Sequence, residues 1–140
     1  VSSALVLADA MIGSKLIGTA VGAVEPFLSE SSPFLGVILI FLMTLTLTEL
    51  ITNNAAAALM FPVGYAVAQT SGVDVMPFVL AVAFAASGSF LTPYGYATNL
   101  IVQNLAGYTR GDYLRFGYPI TLTYTIGVLA MLYAVYFTQW

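Results

Sequence analysis

Thr48-Glu49-Leu50-Ile51-Thr52-Asn53-Asn54 interrupts an otherwise apolar stretch running from 33 to 70, and Ala55-Ala56-Ala57-Ala58 follows it directly. As one helix, residues 33–70 would be about 57 Å long, far beyond the ~30 Å hydrocarbon core of a bilayer. The stretch therefore folds into two arms of roughly 24–27 Å around the polar tip 48–54. A two-span hairpin places that tip at the far interface. A re-entrant hairpin places it near the midplane, tolerable only where protein or water lines it. Two details favour the re-entrant hairpin. The tip carries no Gly, Pro or cation, which interfacial turns usually supply. Thr52, Asn53 and Asn54 stand where a helix begins, so their side chains cap free N–H groups and leave a positive helix end facing outward. An anion can dock there without a cationic side chain, and the alanines let other helices approach closely.

The rest of the chain agrees with a bilayer setting. Of 140 residues, 60% are hydrophobic and 6% charged, whereas soluble domains run near 25% charged. Charge is absent from 50–73, 75–109 and 116–140, and each run is long enough for the ~20 residues of a membrane span. These numbers exclude a soluble globule, a disordered chain and a nucleic-acid binder, which needs a basic stripe. With no Cys and no His, thiol catalysis, zinc sites and Ser-His hydrolysis are excluded within the chain, and no enzyme activity is expected. The start on Val1, inside a hydrophobic stretch, reads as a piece of a longer protein.

Working outward, residues 1–24 form an interfacial or transmembrane helix with Asp9 and Lys15 in it. Residues 25–33 make an acidic loop in which Ser31 or Ser32 caps the next helix. The segment 77–105 is a broken helix with its unwound part at 92–98, and 113–138 is the final transmembrane helix, capped by Asp112. Pro93 removes a helix hydrogen bond, Gly95 permits unusual backbone angles, and Thr98-Asn99 precede a new apolar run. Ser87, Ser89, Thr92, Tyr94, Tyr96, Thr98 and Asn99 crowd the middle of this one segment. Polar groups are costly there unless they face a cavity or ligand, which marks Tyr96, Thr98 and Asn99 as candidate substrate contacts. Broken helices are how secondary transporters offer dipole ends and carbonyls to substrate and ion. Arg110 and Arg115 flank the loop 106–112, while the other loops hold only acids. By the positive-inside rule that loop is cytoplasmic and the C-terminus outside, which also disposes of an adhesive role for Arg110-Gly111-Asp112.

Thr48-Glu49-x-x-Thr52-Asn53-Asn54-Ala55, followed by an apolar helix with Pro62, resembles the second hairpin of the divalent anion/sodium symporter (DASS) family, which carries Thr-Glu-x-x-Ser-Asn-Thr there. Pro93-Tyr94-Gly95-Tyr96-Ala97-Thr98-Asn99 resembles the unwound part of that family's next broken helix. With Gly107-Tyr108 and Gly111-Asp112-Tyr113 it is similar to the form found in bacterial permeases of the superfamily. Residues 5–16 resemble the interfacial helix before the hairpin. The resemblance covers essentially the whole chain and corresponds to the C-terminal portion of such a transporter.

The resemblance implies an all-α integral membrane fold, the second half of an inverted-repeat secondary transporter with a re-entrant hairpin and a broken transmembrane helix. It implies sodium held by Thr48, Thr52, Asn53 and the carbonyls of Gly95 and Ala97, and substrate contacted by Thr52, Asn53 and Asn54. It further implies an inner-membrane, multi-pass permease, a missing N-terminal half and a homodimer, with sodium as coupling ion and no other cofactor. Two departures stand out. Ser-Asn-Thr is Thr-Asn-Asn here, which bears on substrate identity, and Ala97 stands where a proline is frequent. Glu49 matches a family position and has no evident partner in the sequence, leaving pairing outside the chain or neutralisation by protonation.

The expected function is secondary active transport of a small divalent anion, dicarboxylate or sulfate-like, coupled to sodium. The alternatives are a proton-coupled antiporter or oxyanion exporter of the same superfamily, and a structural membrane subunit whose polar knots glue helices together.

Overall fold

A computed structural model of the chain describes residues 18, 19, 22 and 32–138. The expectations for the helix 1–24 and for the extreme C-terminus lie outside the described residues. From Ser32 onward the chain forms five helices and, among the described residues, no strand: α1 (Pro33–Leu50), α2 (Asn53–Ser71), α3 (Met76–Ala86), α4 (Ala97–Ala106) and α5 (Arg110–Tyr136). Of these, α1 and α5 are long and apolar enough to cross a membrane.

Local chemistry sets each boundary. Ser32 precedes α1, with Pro33 at the first helical position, where a missing N–H costs nothing. The Ser32 side chain makes no cap hydrogen bond; its backbone carbonyl accepts from Leu35 N instead. At its other end α1 stops because Ile51 adopts an extended conformation. Thr52 is likewise extended and caps α2, its hydroxyl accepting from Ala55 N. Gly72 ends α2 in the left-handed region at φ 65°, where a residue without Cβ is favoured. Asp74 turns back to accept from Met76 N and starts α3. At the head of α5 the cap is Thr109 rather than Asp112. Thr109 Oγ1 accepts from Asp112 N while the Asp112 carboxylate accepts from Thr109 N, a reciprocal box. Asp112 thus supports the cap from the third helical position.

The arms α1 and α2 lie antiparallel. Thr48 meets Asn53 beside the connection, and a Cβ on Gly64 would lie 3.5 Å from Ile40 Cγ2, a dozen residues back along each arm. α3 fills the groove between them. Val37, Ile40 and Phe41 of α1, Val63 and Val67 of α2, and Phe78, Ala81, Val82 and Ala85 of α3 form the buried core. α5 leans on α3, contributing Leu132 and the Tyr124 hydroxyl, which donates to Phe84 O at 2.9 Å. α4 contributes nothing to the core and has no buried residue.

Candidate functional site

α3 and α4 are separated by ten residues, Ser87–Tyr96, that follow no regular helix. This break begins five residues before the expected unwound stretch 92–98, and α4 begins inside it, at Ala97. The residue ahead of α4 is Tyr96, which gives no side-chain cap; Thr98 and Asn99 lie within the first turn of α4. The two Thr-Asn pairs are therefore not equivalent. Thr52 caps its helix from outside, whereas Thr98 sits already inside one.

The break folds back onto the hairpin tip. Thr48 Oγ1 donates to Ala86 O at 2.8 Å, tying the end of α1 to the last carbonyls of α3. Asn53 satisfies its neighbours with its amide nitrogen toward the break. In that orientation it donates to Gly95 O at 3.0 Å, to Thr48 Oγ1 at 2.9 Å and to Ala86 O at 3.2 Å, and its oxygen accepts from Tyr96 Oη at 2.7 Å. Turned the other way, its oxygen would face only acceptors. The Asn53 backbone N–H also points to Gly95 O. Tyr96 Oη lies 3.1 Å from Ser87 O, a second acceptor for its proton.

Gly95 is buried in this knot for reasons of space. A Cβ there would stand 2.1 Å from Ser89 Oγ, 2.3 Å from Ser89 Cβ and 3.0 Å from the Asn53 side-chain amide. Positive φ is confined, among the described residues, to Gly72 and Gly107. The expected conformational licence at Gly95 is thus a licence for close approach.

Glu49 is buried at 7% exposure and organises the other half of the break. Its Oε1 accepts from Phe90 N and Leu91 N, both at 2.9 Å, and its Oε2 accepts from Thr92 N at 2.8 Å and Ser89 Oγ at 3.3 Å. Thr92 Oγ1 returns a hydrogen bond to Glu49 O at 2.7 Å. The partner missing from the sequence reading lies in this same chain, as the freed backbone N–H groups of the unwound helix. The signal was indirect: a helix broken at Pro93 must leave N–H donors without helical partners, and a buried acid needs donors.

Of the sequence-derived candidates, Thr48, Asn53, Gly95 and Tyr96 are brought into one hydrogen-bonded cluster. Thr52 stands beside it but spends its hydroxyl on the α2 cap. Asn54, Ala97 and Thr98 are exposed. Asn99 lines a separate cleft of about 460 Å³ between the break, α4 and α5, shared with Ser89, Phe90, Tyr108 and Tyr113. Its carbonyl accepts from the Tyr113 hydroxyl at 2.9 Å. Sequence reasoning missed Glu49's donors and the carbonyls of Ala86 and Ser87, since a backbone oxygen carries no residue-type signature.

A family described as the sodium:sulfate symporter transmembrane region matches residues 2–140. An uncharacterized transporter of Synechocystis, sll0640, is 39% identical over 102 residues, covering 73% of this chain and 17% of that protein. The Escherichia coli uncharacterized transporter YfbS is 36% identical over 83 residues, covering 59% of this chain and 14% of that protein. Sodium/sulfate cotransporter 1 of Chlamydomonas reinhardtii is 32% identical over 103 residues, covering 74% and 12%. The chain thus spans 12–17% of the length of these relatives. No solved structure matches. A motif-bearing hairpin tip, a broken helix folded onto it and a match across almost every residue converge: the chain belongs to the sodium:sulfate symporter transmembrane region family, a family of membrane transporters.

Proposed function

We propose that this chain is the C-terminal part of an inner-membrane permease that moves a small divalent anion, sulfate-like or dicarboxylate, with sodium as coupling ion. The observation that carries this reading is the convergence of Thr48 Oγ1, Ala86 O and Gly95 O on one point, filled by the amide nitrogen of Asn53. An N–H₂ group is the weakly positive stand-in for a cation. Three oxygens, two of them carbonyls freed by a helix break, suit a sodium ion once the Asn53 side chain swings out of that point and turns its oxygen toward it. The Thr52, Asn53 and Asn54 end of α2 and the Ala97, Thr98 and Asn99 end of α4 are positive dipole ends, which suit the oxyanion groups of the substrate.

Depth supports the same reading. α3 and α4 have 11 and 10 residues, and neither crosses a bilayer alone. Together they supply roughly 32 Å of helix, close to the ~30 Å core. The hairpin tip bonds to the break between them, so a crossing pair α3–α4 carries the tip at mid-depth and makes α1–α2 re-entrant. The segments preceding this chain would supply the inverted counterpart, and a second copy the dimer.

The test is uptake of radiolabelled sulfate by the parent permease in proteoliposomes. An inward sodium gradient is expected to drive accumulation, potassium in its place is not, and Asn53→Ala is expected to bring uptake near background. Uptake indifferent to sodium, or surviving Asn53→Ala, would overturn the proposal.

A further inference from the structure

Glu49 lies outside the ion and substrate contacts proposed above, yet it is the most heavily bonded side chain of the break. Three consecutive backbone N–H groups, of Phe90, Leu91 and Thr92, converge on its carboxylate, and Ser89 Oγ joins them. Thr92 is held twice, by its N–H and by its hydroxyl on the Glu49 carbonyl. Thr92 leads into Pro93, which is buried and whose ring fixes its own φ. Two residues on is Gly95, packed so tightly on Ser89 that no Cβ fits between them. The first half of the loop 89–95 is therefore anchored on one carboxylate. Its far end packs back on the anchored Ser89, and the loop presents the Gly95 carbonyl to Asn53.

We infer that Glu49 is a positioning residue: its carboxylate welds the hairpin tip to the break and so fixes the Gly95 carbonyl at the cation point. The inference rests on the proposed function for what the point binds, and on geometry alone for the weld. A carboxylate suits the task because both oxygens only accept. A glutamine offers one oxygen and one N–H₂, and either orientation sets a donor against at least one backbone N–H. Aspartate keeps both acceptors but withdraws them by one methylene.

The experiment uses the parent permease with its cysteines replaced and Tyr94→Cys introduced as an exposed reporter on the loop. Two quantities are read at matched membrane abundance: the labelling rate by a maleimide, and the sodium concentration giving half-maximal sulfate uptake. For Glu49→Gln each is expected to rise about tenfold, the scale of losing one hydrogen bond to a charged group, with the maximal rate per transporter little changed. Glu49→Asp is expected to fall between. Unchanged labelling and sodium midpoint would overturn the inference, as would a loss of maximal rate alone, the mark of a purely structural role. Where Glu49→Gln does not accumulate, Thr92→Val removes only the hydroxyl bond to Glu49 O. It should shift both readouts the same way by a smaller factor, and no shift overturns the inference. Should the parent prove sodium-independent, the coupling proposal fails, while the labelling comparison still decides the weld.

Discussion

At the scale of single residues, two atoms of Ser89 define what position 95 can be. Alanine at 95 places a methyl 2.3 Å from Ser89 Cβ, so the loop must open by more than an ångström. Overpacking of this kind costs about 1–3 kcal/mol. Gly95→Ala is expected to lower the thermal midpoint of the purified parent and to weaken sodium-driven uptake. Removing the obstacle with Ser89→Gly in the same chain should restore a large part of both, whereas Ser89→Ala, which keeps Cβ, should not. A double variant as impaired as the single one would reject steric exclusion as the reason for glycine. Residue identity pointed to this cluster for an incomplete reason. Thr48, Asn53 and Tyr96 were legible as polar exceptions in apolar surroundings, and Gly95 as a glycine beside Pro93 in a broken helix. Ala86 and Ser87 were not, because they act through carbonyls, and Glu49 was visible only as an acid whose donors lay some forty residues away in backbone.

Elements meet at glycines of unequal tolerance. A Cβ on Gly88 would approach Leu45 Cδ1 at 2.8 Å and Tyr124 Cε1 at 3.0 Å, whereas one on Gly117 would stand 2.2 Å from Phe90 O. A leucine methyl can swing aside. A carbonyl oxygen in a loop pinned by Glu49 cannot. Gly117→Ala is therefore expected to destabilise the parent more than Gly88→Ala, by at least ~1 kcal/mol, read as thermal midpoints in detergent. Equal midpoints would mean that α5 shifts freely over the break. The helices were largely legible from apolar runs bounded by Pro, Gly and Asp, and the hairpin from length alone. The extent of the break was not. Ser87–Phe90 carry no helix breaker except Gly88. Ser87 and Gly88 close the helix in tight turns onto Phe84 O and Ala85 O. Beyond them the N–H groups of Phe90, Leu91 and Thr92 go to the Glu49 carboxylate instead of continuing the helix. α4 likewise starts at Ala97 without the polar cap that a sequence rule would look for.

Across the whole molecule, burial is lopsided. α1–α3 share a dense core, while α4 and most of α5 present large apolar side chains outward, among them Leu105 at 84% exposure and Phe116 at 66%. In water such a face would be a liability; against lipid or the rest of a permease it is ordinary. Tyr113, Phe116 and Tyr118 gather near one end of α5 and Tyr133, Tyr136 and Phe137 near the other. Their separation of about 30 Å suits two membrane–water interfaces. With Arg110 and Arg115 at the first of these ends, the 106–112 loop is expected on the cytoplasmic side. A cysteine at Gly111 should react with an impermeant maleimide only from inside, and one at Asp74 only from outside. Reaction of both from one side would refute the proposed crossing by α3–α4.

The short α3 and α4 also bear on how the chain enters the bilayer. An insertion machinery that reads hydrophobic length sees neither 11 nor 10 residues as a span. The polar break between them is acceptable in lipid only after the hairpin has covered it. If α3 and α4 cross as proposed, insertion of this segment is coupled to its folding, with α1 and α2 paired in time to receive the break that Glu49 closes.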